Sequence, residues 1–110
     1  MSLDNTALLT DHYELTMVSA ALRGPLAARS CVFEVFARRL PDGRRYGVVA
    51  GTGRLIDELT RFRFGDDEIA QVAQFLDDDT VAWLRDYRFS GDIDGYREGE
   101  LYFPGSPILT

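Results

Sequence analysis

The stretch LLTDHYELTMVSAALRG at residues 8–24 constrains the fold of this chain more than any other. Thr10 and Asp11 are good N-cap residues, Asp11 and Glu14 have capping-box spacing, and Gly24 with Pro25 ends the pattern. The spacing predicts a helix from Thr10 or Asp11 to Gly24. At about 100° per residue, Leu15, Val18 and Leu22 fall on one side and Tyr13, Met17, Ala20 and Ala21 on another, while His12, Thr16, Ser19 and Arg23 form a narrow polar stripe. The two apolar groups cover over half the circumference, whereas a surface helix needs a stripe of only roughly 100°. Such a helix requires cover on two sides: one from its own core, the other from a partner subunit or a further domain.

The rest of the chain alternates strand and helix signals. SCVFEVFARR, residues 30–39, reads as a strand with apolar residues on both faces, hence a central one. PDG at Pro41 to Gly43 is a turn, and RYGVVAG at 45–51 returns as a second strand, which predicts a hairpin. Leu55, Ile56, Leu59 and Phe62 carry helical spacing, as do Ile69, Val72, Ala73 and Leu76 after the acidic start GDDE. A third short helix is expected from Thr80 to Tyr87, burying Val81 and Leu84 with Trp83 partly covered. The acids of DDE and DDD suit helix N-termini, where the macrodipole favours negative charge, better than they suit a metal site. DIDGYREGELYFPGSPILT, residues 92–110, reads as two strands joined around REG. No repeat or linker divides the chain, so residues 1–110 are expected to form one domain, and the apolar, extended ending reads as part of a longer protein.

Composition removes several functions. With 110 residues, 45% hydrophobic and 27% charged, the chain suits one small globular domain with a modest core. No apolar run approaches the roughly 20 residues of a membrane span, and MSLDNTALLT lacks the parts of a signal peptide; a cytoplasmic location without membrane contact is expected. The net charge of −6 argues against nucleic acid, which needs a broad cationic surface. Its distribution is uneven: Arg23 to Arg63 holds nine Arg against four acids, and Phe64 to Thr110 three Arg against eleven acids. Cys31 stands alone, so it forms no internal disulfide and no Cys-rich zinc site, and reads as a buried strand residue.

Two features invite a chemical reading. Tyr13 lies about 160° around the helix from Leu15, so the two serve different faces. Its ring either packs in the ordinary way, which periodicity alone favours, or stacks on a flat ligand. His12 projects from the polar stripe as a solvated or capping residue rather than a base. ARRLPDGRR places Arg38, Arg39, Arg44 and Arg45 around one turn, where like charges oppose one another across a hairpin. Either Glu34 and Asp42 neutralise a solvated tip, with Arg38 paired to Glu34 on its own face, or the guanidinium forks receive a phosphorylated substrate. GTG at Gly51 to Gly53 lacks the further elements of a phosphate-binding loop and reads as a strand-to-helix turn. One His and one Cys assemble no catalytic set and no metal site, so no catalytic residue is assigned.

Taken in order, LLTDHYELTM, FEVFARRLPDGRRYGVVAG, GDDEIAQVAQFL and FSGDIDGYREGELYFPGSPIL resemble the start of nicotinate phosphoribosyltransferase, over nearly the whole chain. TDHYELTM and the EG...FPGSPIL segment carry most of the likeness. The resemblance implies an α+β fold: a small mixed or antiparallel sheet with hairpins and three to four helices, forming the N-terminal domain of a two-domain phosphoribosyltransferase whose barrel-like domain is absent. It implies that the full-length enzyme joins nicotinate to phosphoribosyl pyrophosphate, giving nicotinate mononucleotide and pyrophosphate in NAD biosynthesis, with ATP hydrolysis and Mg2+. It further implies a homodimer with composite active sites. Within it, Tyr13 reaches the pyridine ring in the neighbouring subunit, Asp11 organises the helix start, and Arg38 and Arg39 contact phosphate groups. The phosphorylated catalytic His of that family lies beyond residue 110, and His12 does not match it; the chain alone is expected to be inactive. Glu14 and Leu15 after the Tyr favour the nicotinate branch over nicotinamide-using relatives. The rival reading is a free-standing, non-catalytic domain that binds a small molecule or a protein.

Overall fold

A computed structural model describes residues 5–110 of the chain. Four helices, α1 (His12–Arg23), α2 (Thr52–Arg61), α3 (Asp66–Val72) and α4 (Asp78–Asp86), accompany two short strands, β1 (Gly47–Val48) and β2 (Leu101–Tyr102). The architecture is α+β, with antiparallel pairing. It resolves into two compact units, Met1–Ser30 with Thr60–Phe89, and Cys31–Leu59 with Ser90–Thr110.

The first unit is helical. Asp11 is the N-cap of α1 in an extended conformation, and its backbone N–H donates to Glu14 Oε2 at 3.0 Å, half of the expected capping box. Gly24 closes the helix, donating to the Ala20 carbonyl at 3.2 Å. α4 packs against both α1 and α3. Ala7, Leu15, Phe64, Ile69, Val72, Leu76 and Leu84 form the buried cluster, with Leu8, Val18, Phe62 and Val81 around it. α3 stops at Val72, earlier than its apolar spacing suggests. Its last turn tightens, with Gln74 N–H donating to Gln71 and Phe75 N–H to Val72, and this swings Leu76 into the core.

Ser19 departs from its expected place in a polar, outward stripe: it is buried, its hydroxyl donating to Asp77 Oδ1 at 2.5 Å. The same oxygen accepts from Thr80 Oγ1 at 2.8 Å and from Arg23 at 3.1 Å, while Oδ2 takes the Thr80 N–H at 3.3 Å. Asp77 is thus the N-cap of α4 and the tie between α1 and α4. The Ser19 hydroxyl, followed by that of Thr80, holds its carboxyl well below the usual aspartate range. A folded-state pKa lowered in this way contributes stability that is present above the unfolded value of about 4 and is lost as the pH falls through the acid range. Asp77→Asn should lower the melting temperature by several degrees at pH 7, and the gap to the parent should shrink towards pH 3. A gap that stays constant from pH 7 to pH 3 would show that the carboxylate charge is not what Ser19 and Thr80 bind.

In the second unit the pairing differs from both expected hairpins. The PDG turn forms, with Arg44 N–H donating to the Pro41 carbonyl at 3.0 Å, but its flanks do not pair with each other. β1 pairs instead with β2, Gly47 opposite Tyr102 and Val48 opposite Leu101. Val35 pairs with Leu109. Closing the local hairpin would set Arg38 and Arg39 against Arg44 and Arg45, and the uncharged 101–109 segment avoids that repulsion. The REG turn also forms, with Gly99 at φ 84°, yet its flanks too diverge: residues 94–96 take 108–110 as partner. Leu109 therefore lies between Val35 on one side and Gly95 on the other.

SCVFEVFARR is consequently not a central strand. Only Val35 is bridged, Val32 and Phe33 are 77% and 79% exposed, and Cys31, expected to be buried, is exposed as well. The stretch has one sheet neighbour among the described residues, whereas burial of both faces requires neighbours on both edges and layers above and below. At Gly95 the backbones approach closely: a Cβ there would lie 2.5 Å from the Ile108 carbonyl oxygen and 2.5 Å from Leu109 Cδ2. Gly95→Ala should cost roughly 1–3 kcal/mol through overpacking and accelerate amide exchange at Tyr96 and Thr110. Unchanged exchange at both positions would contradict this.

Candidate functional site

The start of α1 is shaped by its cap. Thr10 Oγ1 and the Asp11 N–H both donate to the Glu14 carboxylate, which these two bonds hold below the usual glutamate range, the Thr10 bond contributing most. With Asp11 thus placed, the first helical turn presents His12 and Tyr13 to opposite uses. The His12 ring lies 4.1 Å from that of Phe75, tilted by 32°, so it is an exposed packing residue. Tyr13 is 59% exposed and Met17, one turn on, 62%. Among the described residues no ring stacks on Tyr13 and no group bonds its hydroxyl. The second apolar face of α1 is therefore bare, while Leu15, Val18 and Ser19 serve the core.

Arg38 and Arg39 belong to the second unit. They follow the Val35 bridge, where the Ala37 carbonyl accepts from Gly105 N–H at 2.8 Å and fixes the start of the bend. Both are exposed, as are Arg44 and Arg45. None of the four forms an ion pair among the described residues, so neither Glu34 nor Asp42 neutralises them. Asp11 and Tyr13 are neighbours at the head of α1, Arg38 and Arg39 at the exit from the bridged stretch.

GTG is the strand-to-helix turn its composition implies, with Gly51 at φ 94°. Its amides are occupied from within the chain. Glu98 accepts the N–H of Gly51 at 3.0 Å and that of Gly53 at 3.0 Å, and these bonds, Gly53 first, lower its pKa. The helix N-terminus of α2 thus already holds an anion. Beside this turn lies a cleft of about 250 Å³ lined by Val35, Val48, Leu55, Tyr102 and Leu109 among others, without a charged side chain. It is suited to apolar contact and not to a charged substrate.

The Asp77 and Glu98 anchors escape a sequence reading because their partners are remote, 58 positions from Asp77 to Ser19 and 47 from Glu98 to Gly51. Their only local sign is that each acid sits at a turn or helix start. Among the described residues no group of three or more His, Cys, Asp or Glu is placed to hold a metal ion, and no helix is long and apolar enough to cross a membrane.

Comparison with known proteins gives these features a context. The family model described as the nicotinate phosphoribosyltransferase N-terminal domain matches residues 8–110. A nicotinate phosphoribosyltransferase of Mycobacterium tuberculosis is 66% identical over 107 residues, which are 97% of this chain and 24% of that protein. A second nicotinate phosphoribosyltransferase of the same organism is 38% identical over 106 residues, 94% of this chain and 22% of that protein. That of Bacillus subtilis is 33% identical over 108 residues, 96% and 22% respectively. The chain spans about a quarter of the length of the curated relatives it matches.

Proposed function

We propose, since this chain belongs to the nicotinate phosphoribosyltransferase N-terminal domain family, that it supplies an aromatic platform and anion contacts to an enzyme of NAD biosynthesis. The full-length enzyme joins nicotinate to phosphoribosyl pyrophosphate, yielding nicotinate mononucleotide and pyrophosphate with ATP hydrolysis, in the cytoplasm. It is a two-domain homodimer whose active sites combine residues of both subunits, with the barrel-like domain outside residues 1–110. The observation that carries this reading is the bare face of α1, on which Tyr13 stands 59% exposed, its ring without a stacking partner among the described residues. A pyridine ring is flat, and the face of Tyr13 offers it stacking while Asp11 and Glu14 hold the backbone beneath.

Arg38 and Arg39 are assigned to phosphate. Guanidinium groups without an internal carboxylate partner retain their bidentate donor capacity for phosphate oxygens. Mg2+ and ATP enter this reading through the family alone; among the described residues no group of three or more His, Cys, Asp or Glu is placed to hold a metal ion.

The test is kinetic. Arg38→Ala and Arg39→Ala are made separately in the full-length enzyme, and the Michaelis constants for both substrates are measured. At least one variant should raise that for phosphoribosyl pyrophosphate about tenfold, worth about 1.4 kcal/mol, with that for nicotinate unchanged. Parent-like constants in both variants would remove the Arg pair from the site.

A further inference from the structure

The extended stretch around Val35 has one edge in use and one open. On the used side Val35 N–H donates to the Leu109 carbonyl at 2.9 Å, its carbonyl accepts from Ile108 N–H at 2.7 Å, and the Ala37 carbonyl accepts from Gly105 N–H at 2.8 Å. Backbone groups alternate in direction along an extended chain, so those of Glu34 and Phe36 face the other way. Among the described residues they bond to no other segment. The side chains repeat the message: Val32 at 77%, Phe33 at 79%, Val35 at 56% and Phe36 at 46% exposure leave apolar surface on both faces. A long apolar edge with its amides unpaired is the arrangement that folded proteins cover, charge or shorten.

We infer that the edge at Glu34 and Phe36 receives an extended, apolar strand from the portion of the full-length polypeptide lying outside the stretch shared with these relatives, converting SCVFEVFARR into an interior strand. The backbone geometry calls for a strand, and the surrounding apolar surface selects this occupant over a second copy of the edge. Backbone groups in alternation call for a strand, because only another extended segment matches their spacing. A copy added edge to edge would satisfy the amides and leave both faces bare, whereas these residues need cover above and below. Within the same unit α2 also presents partly uncovered apolar residues, Leu55 at 38% and Ile56 at 52%. The matched stretch is 24% of the first relative, so roughly three quarters of such a polypeptide is available to supply a strand and a covering layer together. The incoming strand should read as a near-continuous apolar run, as strands buried on both faces do.

This inference rests on the reading of the chain as part of a longer transferase, but its test does not use activity. Amide hydrogen exchange is followed at single-residue level in the full-length protein, comparing Glu34 and Phe36 with Val35, over a concentration range wide enough to carry the protein from separate to associated copies. All three amides should be protected by at least a hundredfold relative to an unstructured peptide, independently of concentration. Exchange of Glu34 and Phe36 at loop-like rates beside a protected Val35 would overturn the proposal. So would protection that appears only as copies associate, which would assign the edge to a second chain. An exposed edge in an enzyme that still depends on Tyr13 would refute the strand and leave the function standing; a protected edge in an enzyme indifferent to Tyr13 would do the reverse.

Discussion

Tyr13→Ala in the full-length enzyme should raise the Michaelis constant for nicotinate ten- to a hundredfold while leaving the melting temperature within a degree or so of the parent. The size follows from stacking, for which removal of one aromatic platform costs about 1–3 kcal/mol. The unchanged stability follows from exposure: a side chain 59% open to solvent, on the face of α1 away from Leu15, contributes little to the core. Tyr13→Phe separates the ring from the hydroxyl. If the ring carries the affinity, the Phe variant keeps most of it; if the hydroxyl does, the Phe variant behaves as the Ala one. An Ala variant with an unchanged constant for nicotinate would remove Tyr13 from the site, and one that fails to fold would assign it to packing.

Leu84→Ala is the largest expected loss of stability. Leu84 is 2% exposed, on α4, in the cluster where α4 meets α1 and α3. Deleting its side chain removes the transfer energy of the buried atoms and leaves a cavity, together roughly 2–5 kcal/mol. Small domains are stable by only about 5–15 kcal/mol, so the change consumes a large share. In urea the midpoint should drop with little change in slope. Leu55→Ala, on the bare side of α2, is the control and should cost well under half as much, because Leu55 is 38% exposed. Equal losses at the two positions would mean that the first unit is not held together around α4.

Why some of this was legible in the sequence and some was not is a question of range. α1 announced itself through Asp11, Glu14 and Gly24, all within a turn of its ends, and its second apolar face through simple angular spacing. The starts of α3 and α4 were likewise marked by their acids. Strand partners are a different matter: PDG and REG correctly mark turns, yet a turn reverses the chain without obliging its flanks to pair. Whether Val35 meets Val48 or Leu109 depends on a competition between a hairpin crowded with Arg and a remote neutral segment, and no local pattern encodes that outcome. The buried Ser19 is a similar case. Helical spacing places it in the polar stripe, and the acid that takes its hydroxyl inside, Asp77, is 58 positions away. Of the candidate site, the separation of Tyr13 from the Leu15 face and the clustering of the Arg residues follow from residue pattern, whereas the exposure of Tyr13 does not, since periodicity alone favours packing; the ligands proposed for these residues rest on resemblance to the family.

The position of Leu109 between Val35 and Gly95 has a consequence for how the molecule comes into being. A ribosome releases residues in order, and the segment that Val35 pairs with is the last of these 110 to emerge. Until then the apolar stretch from Val32 to Phe36 lacks its strand partner among the described residues, and the span between Val35 and Leu109 makes closure slow relative to the local turns that precede it. The helical unit, complete at Phe89, is free to settle first. Nascent chains halted just short of Ile108 would then carry the helical part and an unpaired, aggregation-prone ribbon, so the emergence of residues 108–110 sets the earliest point at which the second unit can close.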